Sequence, residues 1–389
     1  MRILYVTPIS HRAGTWFRCF HLARELVRLG HEVTLLKTSM DRRVVPNAWV
    51  EEGVRIVDSP RFWGSRWSRG NTRLPSDLLY RSLVVLRERW DVAHAFSHHL
   101  NAVWPALLAK RTGRVQRVFL DWDDLWTRGG IYGDRPTTPI ARLSHDLDAL
   151  SEVHSKRLCD GVTVVSAYLR ELSVQDGMPP ERIHMLGNGC PIDEIRPGDR
   201  RAARERLAIP QDRPMAVFVG YGQYDIDLVL DALRILRARH HPLFVCFTGP
   251  HPDKTMEAAR ARGLTERDVR AAGVVPYQDM IAYIHASDVG LLPYADKPLN
   301  WARWPIKLGD YLAAGRPIAT NDVGEMARMV RDHDVGVVTA PTAPAYADGL
   351  ATLLGRANPA SMESHARAVA EQWSWRRLAK DAERLYQGT

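Results

Sequence analysis

The residues best suited to chemistry fall in a few short runs. Asp121-Trp122-Asp123-Asp124 follows the apolar Val118-Phe119-Leu120. Three carboxylates so close together suit a hard metal ion or an acid of raised pKa, and Asp124 alone also reads as a helix N-cap. A second run spans Asn300 to Pro317. There Pro305 opens a helix, whose first N–H groups point at the preceding loop. Lys307 and Asp310, three apart, share one helix face. Lys307 or Arg303 together with those N–H groups can hold a diphosphate, and Asp310 can accept from a pair of ribose hydroxyls. The plainer alternative is a surface ion pair of little energetic weight. Glycines at strand ends, Gly14, Gly220, Gly222 and Gly249, remove a Cβ and let backbone N–H groups approach an anion. Each also reads as simple loop punctuation. Gly220-Tyr221-Gly222 begins like a dinucleotide fingerprint. Asp225 stands where the third glycine belongs, however, and the returning strand ends in Thr248-Gly249 instead of an acid, which argues against a nicotinamide cofactor. His98-His99 lacks HExxH spacing and reads as a hydrogen-bonded polar pair more readily than as a metal site. The basic aromatic stretch 61–73 suits stacking on a cyclic acceptor, contact with an anionic membrane surface or cover over a cleft. Its tryptophans packed inward are the competing reading.

These residues need elements to position them. Arg2–Thr7 is an apolar run followed by a loop with Gly14. Helical spacing from Thr15 places Trp16, Phe20, Ala23 and Val27 on one face. Gly30 stops that helix, and His31–Leu36 returns as a strand. The same order recurs at Met215–Val219, a helix bearing Leu228, Ala232, Ile235 and Leu236, and the strand Leu243–Phe247. Further strands are read at Asp91–Phe96, Arg117–Leu120, Gly161–Val165, Val289–Leu292 and Pro317–Thr320. Continuous apolar strands separated by helices mean parallel sheets covered on both faces. The fold class is therefore α/β, with two Rossmann-like doubly wound domains at 1–195 and 196–374 joined by a hinge near 188–200. A final helix occupies about 375–389.

Composition excludes several classes. A chain of 389 residues with 45% hydrophobic and 25% charged residues is globular. Its 27 glycines and 24 prolines exclude collagen-like and low-complexity chains. The 53 Lys+Arg against 45 Asp+Glu leave a net charge of +8, mixed along the sequence. That balance suits phosphate-bearing ligands and does not by itself imply nucleic acid. Four scattered cysteines without a CxxC pair, and no run near the ~18–20 apolar residues a span requires, lead to the expectation of a cytoplasmic protein with reduced thiols.

The segment Lys307-x-x-Asp310-Tyr-Leu-Ala-Ala-Gly-Arg-Pro-Ile-Ala-Thr-Asn-Asp-Val-Gly324 resembles the donor-binding segment of GT-B glycosyltransferases of the family 4 type. Gly14…Arg18…His21-Leu22-Ala23, Thr163-Val164-Val165-Ser166, Asn188-Gly189, Phe218-Val219-Gly220, Thr248-Gly249 and Ala286–Pro293 are similar to that family in the same order. Trp373-Ser374-Trp375 resembles its terminal helix, which crosses back to the first domain. The resemblance implies two domains facing a central cleft, transfer of a sugar from a nucleoside-diphosphate sugar to a nucleophile on a small metabolite or saccharide, retention of configuration and no obligatory metal or cofactor. It implies donor contacts from Gly14, Arg18, Gly220, Tyr221, Gly222, Thr248, Gly249, Pro276, Asn300, Arg303, Lys307 and Asp310. Catalytic roles are expected for Asp121, Asp123 and Lys307, and acceptor contacts for His98, His99 and Trp122. Here Ala302 and Asp310 stand where the family has two glutamates, and Asp123 takes the place of its first-domain histidine. Two alternatives are a metal-dependent phosphohydrolase built on Asp121 and Asp123, and a non-catalytic binder of sugar nucleotides or a phosphorylase-like enzyme of the same architecture.

Overall fold

The computed structural model describes residues 1–10, 14–39, 47–60, 75–133, 138–220, 226–356 and 359–389. The chain divides into two compact units. The first comprises Met1–Gly189, Ala302–Trp304 and Trp375–Thr389, and the second Cys190–Trp301 and Pro305–Ser374.

The first unit holds strands β1 (Arg2–Ser10), β2 (Glu32–Thr38), β3 (Asn47–Glu51), β4 (Val54–Ser59), β5 (Trp90–Phe96), β6 (Val115–Trp122), β7 (Gly161–Val164) and β8 (Ile183–Met185). They form one sheet in the order β3-β4-β2-β1-β5-β6-β7-β8. All neighbours run parallel except β3, which pairs antiparallel with β4. The turn between those two uses Glu52 and Gly53, both at positive φ, as a two-residue hairpin requires. Sequence periodicity missed β3 because it is a largely exposed edge strand with no continuous apolar run. It missed β8 because three residues carry no period.

The second unit holds β9 (Met215–Val219), β10 (Phe244–Thr248), β11 (Val269–Gly273), β12 (Val289–Leu292), β13 (Ile318–Asn321) and β14 (Gly336–Thr339). The order is β11-β10-β9-β12-β13-β14, all parallel.

In each sheet the first strand sits centrally, and the chain leaves it in opposite directions. That makes a topological switch point between β1 and β5 in one unit and between β9 and β12 in the other. Ligands bind at such points because two loops part beyond the carboxyl ends of the strands.

Each unit has its own core. In the first, Ile3, Tyr5, Leu22, Leu26, Leu35 and Phe96 pack with Trp375, Leu378 and Tyr386 of the final helix Trp375–Gln387. The Tyr386 hydroxyl lies 2.9 Å from that of Tyr5 and 2.6 Å from His94 Nδ1, so this helix is tied by polar contacts as well as apolar burial. In the second, Phe218, Val229, Leu233, Val245, Phe247, Leu291 and Tyr346 close over the sheet. The four cysteines are buried free thiols. Among the described residues no helix is long and apolar enough to cross a membrane.

Candidate functional site

At the switch point of the first unit, Gly14 precedes the helix Trp16–Arg28 with φ +51. Among the described residues a Cβ there would meet nothing within 4 Å, so it is the left-handed backbone that asks for glycine. One turn into that helix, Arg18 is fully buried against Asp121 at the end of β6. Its Nε and Nη2 donate to the two Asp121 oxygens at 2.8 Å. Nη1 reaches the Gly187 carbonyl and Asn188 Oδ1, and Nη2 also reaches the Leu186 carbonyl. All five guanidinium N–H groups are thus committed, and the expectation that Arg18 meets donor phosphate is corrected. Arg18 instead staples β6 to the segment 186–188. Asp121 is corrected with it. The carboxylate is fully buried and also accepts from Thr163 Oγ1. Burial pulls its pKa upward, but the Arg18 guanidinium outweighs this and holds the group below its ordinary value. A nucleophile needs a free oxygen, so the phosphohydrolase alternative loses its attacking group.

Asp123 differs in both respects. It keeps part of its surface accessible and accepts from Thr15 Oγ1 at 2.7 Å. Burial, then the neighbouring charges of Asp124 and Asp121, push its pKa up to about 8. Asp124 is raised by burial, with Arg303 opposing. Asp124 caps no helix, because the segment after β6 is irregular. Glu152 holds that segment instead, accepting from the amides of Trp126 (3.0 Å) and Thr127 (3.1 Å).

The three expected acceptor contacts are corrected by burial. Trp122 is 1% exposed, donates Nε1–H to Glu152 at 3.0 Å and carries Lys156 Nζ 3.5 Å above its ring. An acceptor cannot stack on a face already covered. His98 and His99 are 1% and 0% exposed, with rings stacked 4.6 Å apart.

In the second unit, the helix Ile306–Ala313 begins directly after Pro305. Tyr311 anchors it to β9, donating to the Val217 carbonyl at 3.2 Å and accepting from the Val219 amide at 2.9 Å. Gly315, at φ +73, ends it. Lys307 Nζ then lies 4.3 Å above the Phe218 ring, and 2.6 Å from where a Cβ on Gly220 would stand. A Cβ there would displace the ammonium, the far end of a flexible side chain, and would touch the Phe218 ring at 3.0 Å. Burial and the charge of Glu194 raise the Asp310 pKa to about 7, with Lys307 opposing. Thr248 and Gly249 end β10 beside Gly220, whose amide donates to the Thr248 carbonyl at 3.0 Å. Phe218, Gly220, Phe247, Thr248 and Gly249 line a shallow pocket. Pro276 caps the helix Tyr277–Ala286. Asn300 donates to the Ala295 carbonyl at 2.9 Å. Arg303, adjacent in sequence to this group, is counted with the first unit, where its charge acts on Asp124. Tyr221, Gly222 and the stretch 61–73 lie outside the described residues.

A larger cavity of about 610 Å³ opens at the amino-terminal edge of the second sheet, near Pro214, Asp288 and Pro317. Its arginines are engaged: Arg200 with Asp288 at 3.0 Å, Arg204 with Asp288 at 2.6 Å and Arg213 with Asp212 at 3.3 Å. It lacks the strand carboxyl ends that the switch point supplies.

Sequence reading passed over Thr15, Phe218 and Glu194. Phe218 sat legibly two residues before Gly220. Thr15 and Glu194 gave no signal, because their partners lie more than a hundred residues away in sequence.

Two Rossmann-like units in succession define the GT-B class of fold. Known structures agree: sucrose-phosphate synthase from Thermosynechococcus elongatus superimposes with a TM-score of 0.78 at 15% identity, covering 100% of this chain and 99% of that one. HepE of Anabaena, solved with UDP and glucose, gives 0.73 at 14% identity, covering 100% of both. Residues 13–189 match the family model for a glycosyl transferase 4-like domain, and residues 213–356 that for glycosyl transferases group 1. A D-inositol 3-phosphate glycosyltransferase of Geodermatophilus obscurus is 27% identical over 380 residues, covering 92% of this chain and 80% of that protein. The chain belongs to the glycosyltransferases that combine a 4-like first domain with a group 1 second domain, and it is an enzyme of that class.

Proposed function

We propose that the enzyme moves a sugar from a nucleoside-diphosphate sugar, of the uridine type, to a hydroxyl of a small polyol or saccharide, with retention and without an obligatory catalytic metal. Lys307 carries this reading. Its ammonium lies at Gly220, beside the first turn of the helix Ile306–Ala313 and at a switch point. A cation and a helix N-terminus together stabilise the charge that grows on diphosphate oxygens as the glycosidic bond breaks. Lys307 supplies that charge from the chain itself. Asp310, three residues on, accepts from ribose hydroxyls.

In the first unit Asp123, unlike Asp121, keeps part of its surface accessible. In its ionised form it supports the oxocarbenium-like sugar carbon or takes the acceptor proton as the new bond forms. HepE is described with UDP and glucose, which supports the uridine donor. Relatives named for inositol 3-phosphate support a polyol acceptor that bears phosphate.

The test is a panel of nucleotide sugars, each with and without D-inositol 3-phosphate and simple saccharides, with no added divalent cation. Release of nucleoside diphosphate and an α-linked product from an α-linked donor is expected. A folded enzyme that consumes no nucleotide sugar under any pairing would overturn the reading, and an inverted product would remove retention.

A further inference from the structure

We propose that His98, His99 and Asp148 form a site for a divalent cation of the zinc type, and that this ion fixes the irregular segment 123–133 of the first unit. The three side chains are buried, and one ligand atom from each lies within 4.8 Å of the others. His99 Nε2 stands 3.8 Å from Asp148 Oδ2. Two imidazole nitrogens and one carboxylate oxygen are a donor set that zinc takes. Tetrahedral bonds of about 2.0–2.2 Å place ligand atoms roughly 3.3–3.6 Å apart. One separation is already near that range, and small side-chain rotations close the rest.

The surroundings hold these ligands in place. Ser97, at φ +143, turns the chain as β5 ends. Beyond it the two rings stack on one side, where consecutive strand residues would point to opposite faces. Ser97 Oγ bonds His99 Nδ1, and Nε2 faces the Tyr132 hydroxyl at 3.4 Å as well as Asp148. The Tyr132 hydroxyl donates to Asp148, and Ser151 Oγ donates to the His98 carbonyl. Trp126 meets the His99 ring edge-on at 4.7 Å and forms an apolar wall. Asp148 and Glu152 share the helix Pro139–His154, and Glu152 holds the amides of Trp126 and Thr127. An ion joining that helix to the end of β5 therefore fixes the segment that carries Asp123 and Asp124. The role is structural: the ion holds the segment and acts on Asp123 only through it.

The test uses the full chain, stripped with a chelator, dialysed and titrated with Zn2+ and separately with Co2+. Uptake on the order of one ion per chain, a rise in melting temperature and the visible ligand-field bands of tetrahedral Co2+ are expected. Asp148→Asn and His99→Gln should abolish uptake, and Ser97→Ala should weaken it by about 10- to 100-fold. His240→Gln should leave it unchanged. Wild-type chain that takes up neither ion, or takes up Co2+ without tetrahedral bands, overturns the site, and it does so even if the variants fail to fold. Equal uptake by wild type and a folded Asp148→Asn protein overturns it as well, leaving the cluster a hydrogen-bonded network.

Discussion

Asp310 and Asp123 are carboxyls whose surroundings disfavour their charge, in each case through burial first and neighbouring carboxylates second. Asp310 is nearly enclosed and has Glu194 nearby, which together move its pKa to about 7. Because the folded value exceeds the ordinary one near 3.8, the folded chain binds more protons in that window. Stability should therefore fall as pH rises from about 4 to about 7, by at most about 1.4 kcal/mol per pH unit. Asp310→Asn should flatten that slope in denaturant titrations. The same change should weaken nucleoside diphosphate binding by roughly ten-fold above pH 7, the loss of one hydrogen bond to a charged acceptor. Calorimetry with equal affinities for mutant and parent would remove the ribose assignment. Lys307→Ala should lower donor turnover by about 100-fold or more with circular dichroism unchanged, and parental kinetics would reject its role. Asp123, raised to about 8, should make acceptor turnover climb with pH toward 8 if it acts as base. Asp123→Asn should abolish that limb of the profile. For Lys307 and Asp310, spacing foretold the shared helix Ile306–Ala313, while a plain surface ion pair fitted the same spacing. Arg18 and Asp121 were misassigned because nothing in the sequence shows that each satisfies the other.

Among the elements, the helix Ile306–Ala313 makes the clearest case. Pro305 starts it, Gly315 ends it, and Tyr311 locks it to β9, so its first turn is held beside the end of that strand. Gly290 on β12 belongs to this lock, since a Cβ there would lie 2.4 Å from the Tyr311 ring. Gly290→Ala should cost about 1–3 kcal/mol by overpacking and loosen the helix. Chemical denaturation reads the first effect and donor affinity the second. A neutral substitution would mean that Tyr311 is free to move. The start and stop of this helix could be read from Pro305 and Gly315, but its anchoring could not, because Tyr311 has no sequence neighbour in β9. The edge strand β3 was missed for a related reason: exposed residues carry no periodic signal.

At the scale of the whole chain, the final helix Trp375–Gln387 belongs to the core of the first unit, which is built from the other end of the sequence. Removing 375–389 should speed amide exchange in β1 and β5 by orders of magnitude and leave β9 and β12 near their original rates. Hydrogen exchange by mass spectrometry checks this, and uniform protection in both sheets would contradict the assignment. Local pattern was enough for the two α/β units, most inner strands and the helix after Pro305, because apolar period, glycine and proline act over a few residues, and the family followed from the ordered resemblance of motifs along the chain. Which carboxylates are spent on burial and which stay accessible, that Arg303 and Lys307 fall in different units, and that His98 and His99 meet Asp148 emerged with the folded chain. Those outcomes depend on contacts between residues tens to hundreds of positions apart, and the balance of desolvation against pairing at such contacts leaves no trace in local spacing.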